Sequence, residues 1–197
     1  TPVVLFDRIA SELKCDKVIV DDFDSAVNAT QYLIDTKCKK IALFSTINNL
    51  SVGDLRENGY KEALQKNNIK FDNSLALLTD SDVGFDEKMG QLILEKKPDA
   101  IFAIDEYAVV TAMKFCLKNG LHVPDDISII GFADGLWSRR MTPSLSTISQ
   151  HAPEIGQKTA ELIIKRIEEI QDSESEKIFE TAVIKTELRK RDSVRKL

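Results

Sequence analysis

Polar residues able to do chemistry recur just beyond short apolar runs of this chain. Asp22, Asp24 and Ser25 follow the run 17–21, and Ser45 and Thr46, then a loop leading to Arg56, follow 40–44. Thr79, Asp80, Ser81 and Asp82 follow 75–78, Asp105 follows 100–103, and Asp134 and Trp137 follow 127–131. A carboxylate accepts paired hydrogen bonds from vicinal hydroxyls, and a guanidinium donates them as a fork. An indole covers the apolar face of a ring. Together these groups suit a sugar or a similarly polar small molecule. A plainer reading stands beside this one: Asp24 and Asp105 as helix N-caps, the others as turn formers. For any single position the two readings are level, and convergence on one edge tilts the group towards a binding site.

Catalytic chemistry finds little support. The chain has two histidines. His122 precedes Val123-Pro124 in a turn, and His151 has no neighbour in sequence that would make it a base. GxSxG, Walker A and GxGxxG patterns are missing. The acidic stretches Asp21-Asp22-Phe23-Asp24 and Asp80-Ser81-Asp82 lack EF-hand spacing and a partner histidine, so they read as solvated turns. The expectation is a protein that is not an enzyme and needs neither metal nor cofactor. Cys15, Cys38 and Cys116 form no CxxC pair and are odd in number, which points away from a disulfide framework and towards the cytoplasm.

The elements that would position these residues alternate. The β-branched runs 3–6, 17–21, 40–44, 75–78, 100–103 and 127–131 are separated by segments of helical period. One helix is expected to be capped by Asp24 and to carry Val27, Thr30, Leu33 and Ile34. A second spans 53–66 and buries Leu55, Ala63 and Leu64; a third turns Phe85, Met89, Leu92 and Ile93 to one side. A fourth runs from Asp105 to Gly120 and buries Ala108, Val109, Ala112, Met113, Cys116 and Leu117. Such alternation makes βαβ units and a parallel sheet, with ligands bound beyond the carboxyl ends of the strands. After Gly131 the rhythm breaks. A short run, 145–148, is followed by a helix from Pro153 with Ile155, Ala160, Ile163, Ile164 and Ile167 inward, a polar loop at 171–177, and last strands within 179–188.

Composition bounds the partners. The 197 residues are 43% hydrophobic and 30% charged, with a net charge of −5, so this chain has no electrostatic grip on a polyanion. The basic close, Arg189-Lys190-Arg191 and Arg195-Lys196, reads as a solvated chain end. No apolar run reaches the roughly eighteen residues of a membrane span. A start inside an apolar run, without a basic leader, reads as part of a longer protein.

Several stretches resemble the LacI/GalR regulators, in order and in spacing. They are Pro98-Asp99-Ala100-Ile101-Phe102-Ala103-Ile104-Asp105, then Val123-Pro124-Asp125-Asp126-Ile127-Ser128-Ile129-Ile130-Gly131-Phe132, and Thr142-Pro143-Ser144-Leu145-Ser146-Thr147-Ile148-Ser149-Gln150. Arg56-Glu57-Asn58-Gly59-Tyr60, Ala29-Thr30-Gln31-Tyr32-Leu33-Ile34 and the basic close fit as well. The resemblance implies an α/β, periplasmic-binding-protein-like fold, with two doubly wound parallel-sheet lobes around a ligand cleft. Residues 1–36 would be the latter half of a first lobe, 37–148 the second lobe, 149–178 a return to the first, and 179–197 a final segment in the second. It also implies a ligand-responsive, homodimeric transcription regulator. A small carbohydrate-like effector would control operator DNA binding by a helix-turn-helix domain absent from this chain. By position, the resemblance carries effector contact to Asp24 (from the opposite lobe), Arg56 as the anchoring fork, Asp105, loosely Asp80, and Gln150 at a crossover. Ala133 stands where the family commonly has a ligand-contacting Asp, with Asp134 next to it as a substitute; Ile104 replaces a common Asn. The rival reading is a solute-binding protein of a sugar uptake system, which would share the fold.

Overall fold

A computed structural model describes residues 1–10, 12–169 and 178–196. The polar loop expected at 171–177 lies outside them. The chain forms two compact units, Thr1–Asp21 with Gln150–Thr186, and Asp22–Ser149 with Glu187–Leu197.

The larger unit is built on a six-stranded sheet. In chain order its elements are α1 (Asp22–Asp35), β3 (Ile41–Ser45), α2 (Ser51–Lys66), β4 (Ala76–Leu78), α3 (Phe85–Lys96), β5 (Ala100–Ala103), α4 (Glu106–Lys118), β6 (Ser128–Gly131), α5 (Leu136–Arg140), β7 (Ser146–Ser149) and β9 (Glu187–Arg189). The strand order is β4-β3-β5-β6-β7-β9, parallel except for the last pair. Alternate residues of each strand serve opposite faces. Ala42, Phe44, Ile101, Ala103 and Ile129 pack with Phe85, Met89, Val109 and Met113 of α3 and α4. Ile41, Leu43, Ala100, Phe102 and Ile130 pack with Ala26, Leu33, Tyr60 and Leu64 of α1 and α2. Both faces are covered, which is why these strands read as continuous apolar runs.

The smaller unit holds β1 (Val4–Phe6), β2 (Asp16–Val20), α6 (Ala152–Glu168) and β8 (Thr181–Ile184). Its sheet runs β1-β2-β8, all parallel. Ile155 and Leu162 of α6 cover one face, against Val18 and Val20. β2 alternates buried and half-buried residues, as a sheet covered on one face does.

Strands fall within one residue of their expected places. The unit boundaries do not: the chain passes between units at 21/22, 149/150 and 186/187, not at 36/37, 148/149 and 178/179. The cause of the first difference is α1, whose Ala26, Ala29 and Leu33 join the core of the large unit. At the end of the chain, β8 joins the small sheet and only β9 the large one. Helix faces shift too. Asp24 lies in the first turn of α1 and is not its cap, because the helix starts at Asp22. Leu55 and Leu117 are exposed, and so are Ala160, Ile164 and Ile167. The inward stripe of α6 is Ile155, Leu162 and Arg166, its last two members one residue before the expected Ile163 and Ile167.

The basic close is not a solvated end. Arg191 donates to Asp134 (2.7 Å), Thr147 (2.8 Å) and the Leu145 carbonyl (2.5 Å), and Arg189 also donates to Asp134. Ser193 is fully buried, and its backbone carbonyl accepts from Ile129 N at 2.7 Å. These bonds sew the last strand onto the large sheet.

Candidate functional site

Arg56 lies on the buried side of α2, with 4% of its surface exposed. Its Nε donates to Asp22 Oδ1 at 2.6 Å, and Nη1 donates to the Ile104 carbonyl at 2.8 Å. The guanidinium carbon sits 3.8 Å from the centre of the Phe132 ring. Ile104 and Phe132 follow β5 and β6 directly, so the fork is seated at the carboxyl ends of the two central strands. Those contacts use two of the five guanidinium N–H groups and fix its plane.

Gly59 makes the pairing possible. One helical turn beyond Arg56, it faces α1 so closely that a Cβ would lie 2.4 Å from the Phe23 carbonyl oxygen and 2.7 Å from Ala26 Cβ. Only a glycine lets the two helices approach this far, and that approach delivers Asp22, the neighbour of Phe23, to Arg56.

Asp105 is the N-cap of α4 and accepts from Ala108 N at 2.8 Å. It also accepts from Thr46 N at 2.7 Å and Thr46 Oγ1 at 3.2 Å, which fixes the loop after β3 beside it. The cap reading and the site reading are therefore compatible: the carboxylate is oriented by its structural duty, and its residue is 7% exposed. Thr79 N in turn donates to the Ser45 carbonyl, and Asn48 N to the Thr79 carbonyl, so the loops after β3 and β4 brace each other.

Of the six residues anticipated, Arg56 and Asp105 are buried, and Arg56 bonds the carbonyl of Ile104, the residue before Asp105. Asp24 is exposed in the first turn of α1 and belongs to the same unit as Arg56, not the opposite one. Asp80 is exposed in the loop after β4. Asp134 is held by Arg189, Arg191 and Thr147. Burial pushes its carboxyl up, but hydrogen bonds from Arg191, Thr147 and Ser149 and the charge of Arg189 outweigh this and leave it below the ordinary range. Gln150 belongs to the smaller unit, where Nε2 donates to Asp7 at 3.3 Å beside a recess of about 260 Å³. Trp137 is tethered, its indole N–H donating to Glu106 at 2.7 Å. Sequence reasoning placed Asp22 among the strand-end polar groups but did not pair it with Arg56, and it gave no role to Phe132. No local signal marks a pairing across 34 positions.

A larger cavity of about 380 Å³ lies in the smaller unit, at the amino end of its sheet. It is lined by Asp16, Arg166 and Phe179 and contains none of the anticipated residues.

Parallel strands with converging donors and acceptors at their carboxyl ends define a class of α/β ligand-binding domains. The chain belongs to the periplasmic binding protein-like domain family, whose pattern matches residues 30–194. Within it, the chain is similar to LacI-type transcription regulators. It is 31% identical over 198 residues to the probable HTH-type transcriptional repressor ExuR of Bacillus subtilis, covering 100% of this chain and 58% of that protein. It is 34% identical over 177 residues to the HTH-type transcriptional regulator MalR of Clostridium butyricum, covering 88% of this chain and 51% of that protein. The chain thus spans little more than half the length of these relatives. Among solved structures, a LacI family transcriptional regulator from Enterococcus faecium with bound ribose superposes with a TM-score of 0.89 at 27% identity, over 100% of this chain and 72% of that one. The transcription regulator CcpA of Lactococcus lactis gives 0.84 at 25% identity, over 99% and 70%.

Proposed function

We propose that this chain is the sensory part of a homodimeric, cytoplasmic transcription regulator, and that it binds a sugar or sugar derivative at the carboxyl edge of the large sheet. Arg56 is the anchor: its remaining N–H groups donate to ligand hydroxyl oxygens. Asp105 accepts from ligand hydroxyls with the acceptor capacity that Thr46 and Ala108 leave unused. Asp24 and Asp80 stand on exposed turns from which they would reach the rim of a bound ligand, and Gln150 is a further proposed contact. Operator DNA would be bound by a helix-turn-helix domain elsewhere in the protein, its affinity set by a ligand that binds one conformation better than another. No catalytic step is assigned.

The observation that carries this reading is the buried, oriented Arg56 fork beside Asp105, in a chain whose relatives carry regulator names and whose structural neighbour holds ribose. Those regulator names also weigh against the rival uptake-protein reading. Calorimetry of the full chain against a panel of neutral pentoses, hexoses and disaccharides tests it. Arg56→Lys keeps the positive charge opposite Asp22 but loses the fork, and should weaken sugar binding tenfold or more. Unchanged affinity would remove Arg56 from the site.

A further inference from the structure

We propose that Asp134 is a positioning residue that couples the Arg56 end of the large sheet to β7 and β9, the two strands from which the chain crosses to the smaller unit. The inference takes Arg56 as the ligand anchor from the reading above. Its test uses no ligand, so the two fail separately.

The link begins at the guanidinium, whose carbon lies 3.8 Å from the centre of the buried Phe132 ring. Asp134 follows Phe132 two positions later, in the loop after β6. Its side chain is 9% exposed, and both carboxylate oxygens are engaged. Oδ1 accepts from Thr147 Oγ1 of β7 at 3.0 Å and from Arg191 Nη2, just past β9, at 2.7 Å. Oδ2 accepts from Arg189 of β9. The two strands pair antiparallel, with Ser149 opposite Glu187. Ser149 is the last residue before the crossing at 149/150, and Glu187 is the first after the crossing at 186/187. One carboxylate therefore holds the loop after β6 to both crossing strands at once.

Such a joint is stiff. Two guanidinium groups and a hydroxyl donate to one charged acceptor, and charge-assisted bonds are the strong ones. If the loop shifted while β7 and β9 stayed, a largely buried carboxylate would lose its partners, which costs more than a small displacement of the strand ends. The strands therefore follow the loop. A change at Arg56 that disturbs the Phe132 ring is carried through Ala133 to Asp134 and from there to the crossings. The coupling is a free energy between two places, so a double-mutant cycle measures it.

The experiment is amide hydrogen exchange on the full chain, read at β7 and Gln150, with Val18 of the small sheet as the reference for global opening. Arg56→Lys removes the planar group stacked on Phe132. It should change exchange at β7 and Gln150 by about threefold or more relative to Val18. In an Asp134→Asn background the same substitution should no longer change it. A response of equal size in both backgrounds overturns the inference, since a merely structural Asp134 would shift exchange additively. No response to Arg56→Lys in the otherwise native chain overturns it without any variant at Asp134. Should Arg56→Lys fail to fold, Phe132→Leu supplies the disturbance, and the same two outcomes apply. Should Asp134→Asn fail to fold, Arg189→Gln removes one arm of the joint from a side chain 27% exposed. The response should then shrink, and an undiminished one overturns the inference.

Discussion

Among the described residues each unit buries one arginine–aspartate pair, and the two pairs differ in how they are bonded. In the smaller unit Arg166 embraces Asp16 with two bonds, Nε to Oδ2 at 2.5 Å and Nη2 to Oδ1 at 2.7 Å. It also donates to Glu169 and to the Ile178 carbonyl, while Glu180 N donates to Asp16. That pair ties the end of α6 to the start of β2 and to the approach of β8, at the amino end of its sheet. In the larger unit Arg56 gives Asp22 one bond and keeps N–H groups in reserve, at the carboxyl end. The same two residue types thus make a closed structural knot in one place and an unfinished constellation in the other. An ion pair marks a candidate site by its unused capacity and its place on the sheet, not by its burial.

The contrast can be broken experimentally. Arg166→Ala should carry the largest stability cost, about 3–5 kcal/mol in urea unfolding, because it leaves Asp16 buried without its partner. Sugar affinity should be unaltered once the protein is folded. If the loss is small, the knot is not structural. Gly59→Ala should cost about 1–3 kcal/mol by forcing α1 and α2 apart. Because it also withdraws Asp22 from Arg56, it should change sugar binding as well as stability, which a chemical-denaturation series with calorimetry would separate. Asp134→Asn should lower stability by about 1–2 kcal/mol through the loss of charge-assisted bonds to Arg189 and Arg191. An unchanged sugar affinity would set Asp134 apart from the binding residues; a large drop in affinity would place it among them.

Acid should act on the knot as well. Arg166 holds the Asp16 carboxyl below the ordinary carboxylate range, and Asp134 is likewise depressed. A group with a lowered folded pKa contributes stability above its unfolded value of about 3.9, and that contribution is lost as pH falls through the folded value. The urea midpoint should therefore decline as pH drops below about 4, and Asp16→Asn should flatten the decline.

The alternation of strands and helices was legible because a sheet covered on both faces needs apolar runs such as 41–44 and 100–103. What failed was legible only from packing. Leu117 fits the periodic stripe of α4 yet is 47% exposed, since the stripe is wider than the surface it covers. α1 was given to the wrong unit because its partner α2 comes later in the chain, and Gly59, which fixes that partnership, looks in sequence like any helical glycine. The strand-end rule pointed to the carboxyl edge of the large sheet, where Arg56 and Asp105 are buried. Between Asp22 and Asp24, two carboxylates two positions apart on the same turn, only the helix contact decides which is buried.

The stitching of β9 has a consequence for anyone who shortens this protein. Among the described residues, β9 is the one neighbour that β7 has on its outer side. A truncation before Glu187 would bare a row of backbone donors and acceptors along Ser146–Ser149, a ready template for strand addition from another molecule. Such a product should come out of cells as sticky, self-associating material although every group at the Arg56 end of the sheet is still encoded.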